Sequence, residues 1–67
     1  MNSARIRVVG ILSWSQRGAM LTTLQSEVWI IETDEDLDTF LGKTILVEGT
    51  ISGLDRLSAY WIGELKG

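Results

Sequence analysis

The residues able to do chemistry in this chain are carboxylates, arginines and aromatics, because it contains no histidine and no cysteine. Without histidine, the side chain best suited to acid–base work near neutral pH is missing. Without cysteine there is no thiolate nucleophile, no disulfide framework and no cysteine-liganded zinc. Acids crowd one stretch, at Glu32, Asp34, Glu35, Asp36 and Asp38. The alternate spacing of Asp34, Asp36 and Asp38 is that of a calcium loop, which also needs a glycine at its sixth position and an acid at its twelfth. Counted from Asp34, those positions hold Thr39 and Ile45. No metal is expected there, and the run reads as solvated acids at the positive end of a short helix.

Other catalytic arrangements are equally incomplete. Glu48 and Asp55 would make a carboxylate pair if a hairpin brought them together, but no general base, nucleophile elbow or phosphate-cradling glycine loop accompanies them. Neither an enzyme nor a cofactor is expected. The remaining candidates form a binding set: Trp14, Arg17, Trp29, Arg56 and Tyr60. Aromatic faces and arginines suit stacking on bases or packing against a protein partner.

These residues have to be positioned by a single domain, 1–67, too short for a second core. Its 45% hydrophobic and 22% charged residues, with a mean hydropathy of +0.16, are the balance of a folded protein. Arg5 and Arg7 interrupt the N-terminal apolar stretch, and no run approaches the roughly 18 apolar residues of a membrane span. A cytoplasmic protein is expected.

Ala4 to Trp14 begins with Ile6 and Val8 alternating against Arg5 and Arg7, then turns apolar on both faces, with Gly10 at the change. A glycine there marks a bulge or bend that lets one strand serve both sides of a small barrel. The alternative is a loop glycine between two short strands. Ser15-Gln16-Arg17-Gly18 reads as a hairpin connection, followed by strand-like runs at Ala19–Leu24 and Glu27–Thr33. Thr33 and Asp36 then resemble a capping box, Leu37, Phe40 and Leu41 share one helical face, and Gly42 suits a helix stop. Lys43 to Gly53 alternates with Ile45, Val47 and Gly49 on one face, and Leu57, Ala59 and Trp61 alternate in a last strand. The order β-β-β-α-β-β predicts an all-β fold with one short helix: an OB-fold-like five-stranded Greek-key barrel. An SH3-like barrel is the alternative.

Leu41-Gly42-Lys43, Val47-Glu48-Gly49-Thr50 and Ser52-Gly53, with Asp55, Leu57 and Ile62 beyond, resemble the C-terminal half of small uncharacterised bacterial OB-fold domains. Trp29-Ile30-Ile31 is similar to their aromatic third strand, and Gly10 to their first-strand glycine. The resemblance implies the barrel. It implies no catalytic residue.

Two binding functions remain. OB-folds bind single-stranded nucleic acid on the second and third strands and the loops flanking them; those loops would hold Arg17, with Trp14 at its edge, and Arg56, while Trp29 and Tyr60 would supply stacking if they face outward. Yet six Lys+Arg against nine Asp+Glu, with a pI near 4.6, is a poor electrostatic footprint for phosphates. Trp29 also reads as barrel wall. Large side chains such as Trp14, Tyr60 and Trp61 exceed what so small a core needs, so the expected function is contact with a protein partner or self-association. DNA or RNA binding is the alternative, and acidic mimicry of nucleic acid by the 32–38 run is a further one.

Overall fold

The computed structural model describes residues 5–65. Five strands are present: β1 (Arg5–Ser15), β2 (Gly18–Thr23), β3 (Val28–Glu32), β4 (Thr44–Ile51) and β5 (Arg56–Glu64). They close into one barrel in the order β1-β2-β3-β5-β4. The fourth strand returns beside the first, so β4-β1-β2-β3 is a Greek key, and β5 completes the ring. All neighbours are antiparallel except β3 and β5.

The long first strand makes closure possible. Its first part pairs with β4 from Arg5↔Thr50 to Ile11↔Thr44, and its second with β2 from Gly10↔Thr23 to Ser15↔Gly18. Gly10 and Ile11 belong to both ladders. A side chain at Gly10 would run into the Thr22 carbonyl, so only glycine permits the close approach. Gly10 therefore lies within a continuous strand, and the two-strand alternative is not what forms. Gly49 does the same between β1 and β5, where a Cβ would strike the Ser58 carbonyl.

Alternation fills the interior. Leu12, Leu21, Ile45, Val47 and Leu57 are fully buried, joined by Ala19, Ile31 and Leu37. Each such branched side chain contributes roughly 1.5–3 kcal/mol on burial. Ile6, Val8, Trp29, Ala59 and Ile62 pack around them. The alternation of β5 slips at Tyr60, because Ala59 faces Gly49 while Trp61 faces Glu48. This bulge puts both Tyr60 and Trp61 outside, where strict alternation would have sent one of them inward.

The expected helix contracts to a single 3-10 turn, Asp38–Phe40, the only helical element among the described residues. Thr33 Oγ1 accepts from the Glu35 amide at 3.1 Å and Asp36 Oδ1 from the Asp38 amide at 3.0 Å. Side chains that bond the backbone two residues on compete with helix formation, and a segment this short has little to set against them. The apolar spacing still does its packing. Leu37 is buried, Phe40 and Leu41 lie against the core, and the segment is strapped to β1 by Gly42 N–H donating to the Leu12 carbonyl at 2.8 Å. Among the described residues no helix is long and apolar enough to cross a membrane.

Candidate functional site

The two-residue β1–β2 turn, Gln16-Arg17, is set by Ser15, whose hydroxyl donates to the Gly18 carbonyl at 2.9 Å and accepts from the Arg17 amide at 3.1 Å. Gly18 takes a φ of +115°, which a side chain would resist. This turn aims Arg17 across the barrel end at the β4–β5 loop. Its guanidinium makes a bidentate pair with Asp55, at 2.6 and 2.8 Å. The hydrogen bonds from Arg17 hold the Asp55 carboxyl below its ordinary value, and the same contact raises Arg17 further.

Arg56, at the start of β5, is likewise occupied. It donates to Glu32 at 3.0 Å, while the Ser52 hydroxyl donates to the other carboxylate oxygen at 2.8 Å. The Ser52 bond, then the Arg56 bond, lowers the Glu32 pKa. Glu48 and Asp55 make no carboxylate pair: Glu48 accepts from Arg7 at 2.8 Å and Asp55 from Arg17. Among the described residues no group of three acids is placed to hold a metal ion.

The sequence-derived binding set is thereby divided. Arg17 and Arg56 flank one barrel end, each committed to a carboxylate. Trp14, at the end of β1, is 55% exposed and lines a groove at that end. Trp29 faces inward beside Leu21 and packs on the core, with its buried Nε1 making no hydrogen bond. Tyr60 does not line Trp14's groove; it sits on the bulge of β5, beside a different cleft, with the Arg5 guanidinium 5.8 Å from its ring centroid. That distance is near the outer limit of a cation–π contact. Arg5, Ile6, Arg7 and Glu48 complete a cleft of about 280 Å3 beside it.

A second surface was legible only through the register. On the outward face of β1, β4 and β5, Val9 lies beside Leu46 and Leu46 beside Gly63; one row away Ile11 lies beside Thr44, whose carbonyl accepts from the Leu65 amide. The Trp61 ring lies across Gly63, since a Cβ there would meet its outer atoms. Ile11, Trp61 and Leu65 are 49%, 49% and 44% exposed. The result is an outward cluster of apolar side chains, with Thr44 between Ile11 and Leu65, flanked by the Arg7–Glu48 pair and the Lys43–Glu64 pair, the latter at 3.5 Å. The sequence signal was the loss of alternation at Val9 and Ile11, attributed above to the strand serving two ladders.

A family model described as a protein of unknown function, DUF5818, matches residues 5–65. The chain belongs to that family. The match spans every strand of the DUF5818 barrel, so membership in an uncharacterised domain family, expected from the Leu41–Ile62 pattern, holds for the whole described fold. No curated protein and no solved structure matches this DUF5818 domain.

Proposed function

We propose that this domain is a non-enzymatic binding module with an OB-like barrel, working through protein contact, with a second copy of itself as the simplest partner. The observation that carries the reading is the outward strip of Val9, Ile11, Leu46, Trp61 and Leu65. Clustered exposed apolar side chains mark contact surfaces, and aromatic anchors are enriched at interfaces. Because the ring of strands is closed, a partner has no free edge to extend and must pack against side chains. The OB-like reading is supported by the Greek-key ring and by the helical turn lying between the third and fourth strands.

Strand spacing makes the strip about 14 Å wide and about 20 Å long. A standard interface removes about 800 Å2 from each partner, roughly a sixth of the 4590 Å2 accessible here. The strip alone is smaller, so association is weak and concentration-dependent. Sedimentation velocity across a concentration series tests it: the mass rises above 7.5 kDa and returns to it in Trp61→Ser. A constant monomer mass rejects self-association. Nucleic acid is disfavoured by the ion-paired state of Arg17 and Arg56. Saturable, salt-sensitive quenching of tryptophan by mixed-sequence single-stranded DNA or RNA would displace the protein-contact reading.

A further inference from the structure

The barrel end beside the β3–β4 connection is indented. A groove of about 590 Å3 remains, with Ala19, Ile31 and Leu37 in its floor, Trp14 in its wall and Asp34 and Glu35 on its rim. The floor residues are core side chains that close the barrel from within, each at least nine-tenths buried. Trp14 is different: more than half of its surface is open, and it stands against no partner aromatic or cation among the described contacts.

We propose that this groove holds a lysine or arginine side chain presented on a short apolar segment of a partner protein. This rests on the reading of the domain as a protein-contact module, but not on self-association, which uses the opposite side of β1.

Charge selects the occupant. The ion pairs among the described residues join Arg7 to Glu48, Arg17 to Asp55, Lys43 to Glu64 and Arg56 to Glu32. Glu32, which also lines the groove, is therefore already balanced, whereas Asp34 and Glu35 are exposed and take part in none of these pairs. Among the described residues the groove thus carries negative charge without an ion-paired counterion, in a chain whose formal net charge is −3. An anion is repelled, and a cation is drawn in. A wholly apolar ligand would leave the rim carboxylates without a partner. Small hydrated cations would leave the tryptophan and the floor unused.

A basic side chain satisfies both halves. Its methylene stem lies on apolar surface while its charged head stays hydrated near the rim, the arrangement long cationic side chains favour at such boundaries. The indole face of Trp14 adds cation–π attraction, which is strongest for tryptophan. Guanidinium gains more than ammonium, because it is planar and more weakly hydrated, so arginine is preferred.

Calorimetric titration of the full chain with the blocked peptide acetyl-Gly-Leu-Arg-Leu-Gly-amide tests this, against the same peptide with citrulline replacing arginine. Citrulline keeps the shape and removes the charge. Saturable binding of the arginine peptide, weakening as salt is raised, is expected, with the citrulline peptide bound several-fold more weakly. The double variant Asp34→Asn/Glu35→Gln weakens the arginine peptide by roughly three- to tenfold, the size two exposed charge contacts supply. Neither side chain is used in the hydrogen bonds of its segment, so far-UV circular dichroism stays that of the parent. Trp14→Leu weakens binding as well, while Trp61→Ser, outside the groove lining and on the outer face of β5, leaves it unchanged. Equal affinity for the two peptides, or an unchanged affinity in the double variant, overturns the proposal. Loss of self-association in Trp61→Ser with peptide binding intact separates the two surfaces.

Discussion

The two ways this barrel closes differ in what holds them. Where β1 meets β4 and β4 meets β5, the ladders are long, from Arg5↔Thr50 to Ile11↔Thr44 and from Ile51↔Leu57 to Ile45↔Glu64, and the two strands at the centre of this closure are forced close to their neighbours, β1 to β2 at Gly10 and β4 to β5 at Gly49. Where β3 meets β5 the ladder is short, joining only Ile30, Ile31 and Glu32 to Arg56, Leu57 and Ser58. Ionic contacts gather around that seam: Ser52 and Arg56 on Glu32, and Arg17 on Asp55, whose carbonyl accepts from the Ile30 amide at 2.7 Å. One closure depends on backbone shape and the other is trimmed by charge. The first is sensitive to the addition of a methyl group, the second to pH and salt.

The largest expected effect comes from the shape-dependent closure. Gly10→Ala or Gly49→Ala drives a Cβ into a backbone carbonyl of the adjoining strand, which cannot swing aside as a side chain can. A loss of at least about 4 kcal/mol is expected, in the class reserved for severe core or backbone conflict. Gly53→Ala is the matched control, since its Cβ would only touch the Arg56 side chain at 3.4 Å. Urea unfolding of the three variants decides it, and equal losses would remove the distinction between the closures.

Next in size is the core residue shared by both. Leu57 is fully buried and pairs with Ile31 on one side and Ile51 on the other. Leu57→Ala should cost about 3 kcal/mol through lost transfer energy and a residual cavity. Trp61→Ser, on the outside of the same strand, should change stability by less than about 1 kcal/mol and alter the solution mass instead. Similar losses of stability in the two variants would mean that the strip is part of the fold and not a contact surface.

These contrasts also explain what the sequence made readable. Alternation at Ile45, Val47 and Leu57 and the glycines at 10 and 49 led directly to the ring of strands, because each reflects a local backbone demand. The acidic segment has helical apolar spacing but forms only one turn, since side-chain bonds from Thr33 and Asp36 compete for its backbone. The binding set suffered from a different blindness. Residue type identified Arg17 and Arg56 as cations, but their commitment to Asp55 and Glu32 depends on loop ends brought together from 38 and 24 residues away. The bulge at Tyr60 likewise depends on pairing, and with it the outward turn of Trp61. Sequence pattern reports faces; it does not report which charges meet.

The smallest effect tests the ionic seam. Glu32 and Asp55 are both held below their ordinary values of 4.5 and 3.8, the first by Ser52 and Arg56 and the second by Arg17. A carboxyl whose pKa is lowered on folding binds its proton more readily when unfolded, so stability falls as pH falls. The contribution is complete above the ordinary values and is lost as pH drops through the lowered folded ones. Glu32→Gln and Asp55→Asn should therefore melt slightly below the parent at neutral pH, and the gap should close in acid and shrink with added salt. Native-state hydrogen exchange locates the effect. Amides of Ile30, Ile31 and Leu57 should lose protection in the variants, while those of Val8 and Val47, in the shape-dependent closure, keep theirs. A gap in melting temperature that persists unchanged into acid, or protection lost evenly around the ring, would show that charge does not distinguish this seam.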